Sequence, residues 1–592
     1  MRKSLMTVKE LFQGDKVLRV PDYQRNYAWD SKQLEDLWED VYYLDHGKRH
    51  YFGTLVLRET GQSVRSGLKS FSVFDIIDGQ QRITSVLIFM KEILSQLGSL
   101  GDQKLKKQLA DFIKDYLRSD GVYKLSLLGE DREFFENHVI EDEDFPAEHF
   151  TPSRRRLAYA ASFFKDKLGA FDGDNGGDLK QVLVGLKEKI DRLEVMVYPV
   201  EDEADSVLIF ETVNDRGKSL SDLDKTKSFL MYMLYLASPR KPRLELDKIQ
   251  ERFAHIFRYV EDIQTSNRGR DVKEDDVQRY HFAAFETPEK KYFYGSLSFI
   301  KDKCRRMYMD DKPRILEYIP EYARDLESAF FAVKQLTSYR EKDKVNDLLN
   351  RLFGLGRVAN FYPLLIACWS RFQGDKGIVS LLKALENFVV RAYVIRRRRA
   401  DTGTSQFNSL AYQVHHGEIS LTELVDELTD ITDYYAPESK LEKYLREDDF
   451  YETRRSRDIK YLLFSYESFL RHRARERLSL NLRQILSPEF EVEHIWPANP
   501  KEPLTSEESA EHEAHKHRLG NLTLAAKSWN AGWGNEPYAR KKGEYKGSDL
   551  RVQRELAERN GTEWRGDQIE SREQSLVEFC LQEWSNAGLR KG

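Results

Sequence analysis

The sequence predicts a multidomain α+β protein: an α/β first domain, a helical middle and a last domain that mixes strand and helix. Three observations predict it. Residues 17–90 alternate strand-like and helix-like runs, the pattern of mixed α/β layers. Residues 240–450 carry apolar positions at helical spacing with almost no strand pattern. Residues 491–497 form a β-prone run closed by Pro497, and a helix-prone stretch opens at Asn530. At 592 residues the chain is too long for one core, and chains of this size suggest about three to four domains.

The elements follow in order. Val17 to Val20 reads as a short strand closed by Pro21, Tyr51 to Leu57 as a better strand, and Phe74 to Ile77 as a buried one. Gln80 to Leu94 has helical periodicity, and a charged helical insertion follows over roughly 91–190. Strand pattern returns at Leu193 to Val200, and a helix runs from Leu223 to Ala237. The first domain is therefore expected over residues 1–240, a helical connector over 241–450 and a last domain over 451–592.

Composition bounds the function classes. Hydrophobic residues make up 40% and charged residues 33%, a folded and water-soluble balance. Net charge is −5, with 94 basic and 99 acidic residues, so contact with nucleic acid has to come from local basic patches. Cys304, Cys368 and Cys580 lie far apart, which fits a reducing compartment and excludes a CxxC zinc site. The first ten residues lack the apolar core of a signal peptide. The longest apolar run, Phe229 to Ala237, is about half of a membrane span. A cytoplasmic protein with no membrane segment is expected.

Three short motifs stand out in the first domain: Val20-Pro-Asp-Tyr-Gln24-Arg25-Asn-Tyr-Ala-Trp29, Ile77-Asp78-Gly79-Gln80-Gln81-Arg82-Ile-Thr84 and Phe210-Glu-Thr-Val-Asn214-Asp-Arg216-Gly-Lys-Ser219. In the second, a strand ends at Ile77 and a helix begins near Gln80. Asp78 is positioned to cap that helix, with Gln81 three residues on as in a capping box. A helix N-terminus offers free N–H groups and partial positive charge, Gly79 permits close backbone approach, and Arg82 can grip phosphate oxygens bidentately. The same residues also suit a plain capped helix, and the third motif a plain turn. Gly217-Lys218-Ser219 is no P-loop, because the required glycine at 212 is Thr212.

The richest chemistry lies in Glu491-Val-Glu493-His494-Ile-Trp-Pro497, Leu519-Gly-Asn521-Leu-Thr-Leu524 and Asn530. This order resembles the HNH nuclease motif, the ββα-metal fold. Phosphodiester hydrolysis needs a base for water, a cation for the phosphate and a brace for the base. By that resemblance His494 is the general base, Glu493 and Asn530 are metal ligands, and Asn521 braces the loop and orients the base. Oxygen ligands, with Asn530 where many members carry His, favour Mg²⁺ or Mn²⁺ over Zn²⁺. Glu491 is expected on the opposite strand face or as a supporting group. His512-Glu-Ala-His515-Lys-His517 breaks the zincin pattern at Lys516 and is expected to be a solvated connector. Arg540, Lys541 and Lys542 are candidate contacts to the scissile strand. Arg396, Arg397, Arg398 and Arg399, after an apolar helix, are a second candidate DNA-binding patch. Arg454 to Arg477 is a further basic stretch. Its aromatic residues, Tyr461, Phe464, Tyr466 and Phe469, are expected in the core.

Taken together, the N-terminal motifs and the HNH order resemble the GmrSD-type modification-dependent (type IV) restriction endonucleases over about residues 5–235 and 450–560. That family joins a ParB/sulfiredoxin-like domain carrying Asp-Gly-Gln-Gln-Arg to a C-terminal HNH domain. The resemblance implies an NTP site, for GTP or ATP, at Asp78, Gly79, Gln80, Gln81 and Arg82, with Gln24, Arg25, Asn214 and Arg216 as neighbours. It also implies metal-dependent cutting of modified double-stranded phage DNA under nucleotide control. Double-strand cutting needs two active sites or two visits, which leaves a homodimer open. Two other readings stay open at this point: a DNA-binding regulator with a non-cutting HNH module, and an RNA-targeting nuclease toxin.

Overall fold

β-branched and aromatic runs in the first two hundred residues build one mixed sheet. The computed structural model describes residues 4–45, 47–101, 103–129, 131–146, 150–171, 179–200, 221–238, 243–477, 480–533, 535–559 and 561–589. The strands are β1 (Ser4–Thr7), β2 (Lys16–Arg19), β3 (His50–Ser66), β4 (Lys69–Asp78), β5 (Arg118–Ser119), β6 (Val122–Tyr123), β7 (Leu125–Ser126), β8 (Leu193–Val200), β9 (Phe490–His494) and β10 (Leu522–Ala526). The six-stranded sheet has the order β1-β8-β3-β4-β2-β7. The pairs β2–β4, β2–β7 and β3–β8 are parallel, and β1–β8 and β3–β4 antiparallel. All four strands expected in this region form, two of them longer than expected. The fold is α+β, with helices making up most of the described chain.

The chain divides into two compact units, Met1–Arg279 with Tyr294–Ser338, and Tyr280–Phe293 with Tyr339–Gly592. In the first unit the helix Gln80–Ser99 is apolar nearly all round and buries Ile83, Val86, Phe89 and Ile93. It packs on the helices Gln103–Tyr116, Pro152–Gly169 and Leu179–Asp191. These come from the expected insertion, which is helical but also supplies β7 to the sheet edge and Phe134, Phe135 and Phe164 to the shared core. Asp75 on β4 ties three strands together. Its Oδ1 accepts from Arg19 Nε of β2 and its Oδ2 from Arg58 Nη2 of β3, both at 2.7 Å. A nearly inaccessible carboxylate is thereby fully paired, the condition for tolerating buried charge.

At the end of β4 the chain turns through Gly79, whose φ of 93° is left-handed. A Cβ there would stand 2.9 Å from Leu55 Cδ1 and 3.1 Å from the Thr54 carbonyl oxygen. Only glycine fits both the conformation and the space. Gly79→Ala is expected to lower the stability of this unit by about 1–3 kcal/mol. Urea denaturation measures it, and a midpoint equal to that of the unsubstituted chain would contradict the assignment.

Among its described residues the second unit has no strands besides β9 and β10. Among the described residues, 243–477 contain no strand, as the helical spacing predicts. β9 and β10 pair antiparallel, with Leu522 opposite His494 and Thr523 opposite Glu493. The helix Lys527–Trp533 follows β10 directly, completing a β-β-α order. Ile495, Trp496, Ala525, Trp533, Tyr545, Trp564 and Ile569 form its small core. Gly520 lets the helix Gly566–Glu583 approach, since a Cβ there would fall 2.1 Å from the Ile569 carbonyl oxygen. No helix among the described residues is long and apolar enough to cross a membrane.

Candidate functional site

Strand pairing places His494 at the last position of β9, where a side chain can leave the alternation of the strand. His494 is 8% exposed. The Tyr451 ring lies edge-on at 4.4 Å between centroids. Burial first, and then the neighbouring His517 ring and Lys541 ammonium, push its pKa down to about 3. His494 is therefore a neutral base at physiological pH.

Alternation along β9 puts Glu491 and Glu493 on one face. Asn530, in the middle of the helix Lys527–Trp533, meets that face: its Nδ2 donates to Glu491 Oε2 at 2.8 Å. Glu491 thus belongs with the candidate ligands, a role that sequence reasoning underweighted. Glu493 accepts from the Lys541 ammonium, which also donates to the His494 carbonyl oxygen at 2.9 Å. Lys541, expected at DNA phosphates, is instead buried with a fully covered side chain. Burial raises the Glu493 carboxyl pKa and lowers that of the Lys541 ammonium, each shift opposed by the partner's charge. Among the described residues no three His, Cys, Asp or Glu side chains converge as a metal group. The set here is two carboxylates, an amide and an ammonium.

Asn521 ends the turn Leu519–Asn521 with no exposed surface. Its Oδ1 accepts from the Trp496 N–H at 2.8 Å and from Trp564 Nε1 at 3.1 Å. Its Nδ2 donates to the carbonyl oxygens of Trp496 and Lys516, both at 2.9 Å. The Asn521 carbonyl oxygen accepts from the Ile495 N–H at 2.9 Å. These bonds fix the backbone on either side of the His494 loop, and they saturate the amide, which leaves it no hydrogen bond for substrate.

The His512–His517 segment is not a solvated connector. His512 is buried, its Nε2 2.8 Å from the Pro497 carbonyl oxygen. His515 Nε2 meets Glu570 Oε1 at 3.3 Å. His517 Nδ1 lies 3.3 Å from His494 Nε2. The expected zincin mismatch at Lys516 stands, but local composition hid three separate structural partners.

The basic patches divide. Arg540 is 74% exposed and pairs with Glu536, whereas Lys542 donates to the Arg559 and Gly561 carbonyl oxygens. Arg396 donates to the Tyr435 carbonyl oxygen at 2.9 Å and stacks over Tyr444, so it holds the fold. Arg397 pairs with Glu447 at 3.1 Å and Arg398 donates to the Tyr435 carbonyl oxygen at 3.3 Å. Arg399 stays 87% exposed beside Asp401. Arg454 and Arg471 are buried, and Tyr461, Phe464 and Tyr466 are core residues as their spacing predicts.

In the first unit the first two motifs interlock. Gln24 Nε2 donates to the Ile77 carbonyl oxygen and Gln80 Nε2 to that of Arg25, each at 2.9 Å. Gln81 accepts from the Ala28 N–H at 2.8 Å and donates to the Asn26 carbonyl oxygen at 3.1 Å. Arg82 Nη1 donates to the Thr54 carbonyl oxygen at 2.6 Å. Arg25 pairs with Asp224 at 2.7 Å and Glu274 at 3.3 Å. Asp78 is not the cap. Gly79 holds that position with no side-chain bond, and Gln81 serves the Asn26–Ala28 backbone instead of a capping box. Burial raises the Asp78 carboxyl pKa, against the pull of the Arg82 charge and the Gly79 N–H. Arg25, Asn26, Tyr27, Gln80, Gln81 and Asp131 line a narrow cleft beside this helix start. Asn214 and Arg216, expected to join the site, lie outside the described residues.

Two family models match the chain. The GmrSD restriction endonuclease N-terminal domain matches residues 8–231, and the GmrSD restriction endonuclease C-terminal domain matches residues 435–579. The chain belongs to the GmrSD restriction endonuclease family. The N-terminal GmrSD match takes in the sheet from β2 to β8 with the Asp78–Arg82 turn, and the C-terminal GmrSD match takes in β9, β10 and the helix Lys527–Trp533. GmrSD membership makes the chain a nuclease with DNA as its substrate. No curated protein matches it.

Proposed function

We propose that this GmrSD-family enzyme is a type IV, modification-dependent endonuclease whose HNH site cuts phage DNA under the control of a nucleotide bound in a ParB/sulfiredoxin-like domain. The observation that carries the nuclease half is the ββα unit ending β9 on a buried, neutral His494, with Glu491, Glu493 and Asn530 on its acidic face. His494 takes the proton of the attacking water. Asn521 holds the loop that carries it.

The acidic face suits a hard divalent cation. The Lys541 ammonium, gripped by Glu493 and the His494 carbonyl oxygen, marks a position where a positive charge already fits. Glu493 and Asn530 would hold Mg²⁺ or Mn²⁺, with Glu491 beside them, and the ion would supply charge stabilisation at the scissile phosphate. Arg540 and the exposed Arg399 suit non-specific phosphate contact.

In the first unit, the Asp78–Arg82 turn offers backbone N–H groups at a glycine-built helix start, with Arg82 and Asp78 beside it. This supports a triphosphate site for GTP or ATP, whose occupancy, relayed through the helical middle, licenses cutting. Modified phage DNA and unmodified plasmid, incubated with Mg²⁺ with and without GTP or ATP, test the reading. Cutting of modified DNA only, dependent on both metal and nucleotide, is expected. Equal cutting of both DNAs regardless of nucleotide would overturn the sensing claim. Cutting of RNA alone would make the enzyme an RNase, and no cutting at all would make the HNH unit a binding module.

A further inference from the structure

A general base works only if its lone pair faces the water, and a buried imidazole needs a partner to fix which nitrogen carries the proton. The Asn521 side chain cannot be that partner, since its bonds all go to Trp496, Trp564 and the Lys516 carbonyl oxygen. His494 Nε2 instead lies 3.3 Å from His517 Nδ1. His517 Nε2 in turn lies 3.4 Å from Glu452 Oε1. Tyr451 stacks on His517 and meets His494 edge-on, and its N–H donates to the His517 carbonyl oxygen at 2.9 Å. The helix Phe450–Thr453, which carries Tyr451 and Glu452, thus holds both rings.

An ionised carboxylate only accepts hydrogen bonds, so Glu452 sets the direction of the whole chain. His517 must present Nε2–H to Glu452, which leaves its Nδ1 as an acceptor. His494 must then present Nε2–H to His517, which leaves its Nδ1 lone pair for a water. We infer that His517, oriented by Glu452 and Tyr451, is the positioning residue that locks His494 in the tautomer able to act as base. The inference rests on the reading of His494 as that base. It deepens that reading by naming a positioning group outside the two matched strands.

The test uses the full chain. The first readout is the ¹⁵N shifts of the His494 ring in histidine-labelled protein without metal or DNA, assigned by difference from His494→Ala. The second is the rate of Mg²⁺-dependent cutting of modified phage DNA. The unsubstituted protein is expected to show His494 protonated on Nε2 alone. His517→Ala should give a mixture of tautomers and a loss of about 10–100-fold in cutting rate. His517→Asn, whose amide oxygen can reach the place of Nδ1, should restore both the single tautomer and most of the rate. A pure Nε2–H tautomer and unchanged cutting in His517→Ala would overturn the positioning role. Cutting retained in His494→Ala would instead overturn the reading on which it rests.

Discussion

His494→Ala is expected to slow DNA cutting by about 100- to 10,000-fold, the range lost with a general base, while nucleotide turnover stays at the level of the unsubstituted chain. The imidazole ends β9, the strand that carries Glu491 and Glu493, and burial keeps it neutral well below physiological pH, with a pKa pushed down to about 3. Removing it should leave the carboxylates, Lys541 and the Asn521 brace intact, because none of their hydrogen bonds uses the ring. The Gln24–Arg25 and Asp78–Arg82 motifs, proposed to bind nucleotide, belong to the other compact unit and share no residue with this site. Parallel assays of cutting and of NTP hydrolysis on one preparation check it. Retained cutting removes His494 as the base, and lost hydrolysis would mean that the substitution damages the whole chain.

The second large effect concerns Lys541. Its fully covered ammonium is bound by Glu493, itself 9% exposed at the side chain. Lys541→Met keeps the volume but leaves a carboxylate buried without its counter-charge. Breaking a buried pair in this way typically costs about 3–5 kcal/mol. In EDTA the variant should unfold at clearly lower urea than the unsubstituted chain. Mg²⁺ or Mn²⁺ should restore part of the loss, because a divalent ion on Glu493 replaces the missing charge. Equal stability with and without metal would show that the acidic face takes no cation there.

The sequence made the architecture legible where chemistry is local. β-branched alternation marked the strands at Val17, Tyr51, Phe74 and Leu193, and apolar spacing marked the helices at Gln80 and Leu223. Around His494 the first strand showed in its β-prone run, whereas the second strand was implied only by the HNH resemblance and the helix begins three residues before Asn530. What stayed hidden was partnership at a distance. Lys541 reads as one more basic residue in Arg540-Lys541-Lys542, and only the packing of its helix turns it onto Glu493. His517 reads as solvated because its neighbours are charged, yet the turn at Asn521 carries it back to His494. The capping box at Asp78 matched in spacing. It failed because the turn into the helix needs a left-handed residue, and Gly79 takes the cap position.

The Asp78–Arg82 turn is proposed to decide when His494 cuts. The most direct test is the rate of Mg²⁺-dependent cutting of modified phage DNA with and without GTP or ATP, in the unsubstituted enzyme and in Arg82→Ala. Nucleotide is expected to change the rate in the former and to leave it unchanged in Arg82→Ala, while His494 stays in place in both. A rate in the unsubstituted enzyme that is indifferent to nucleotide, or a full nucleotide response in Arg82→Ala, would contradict it.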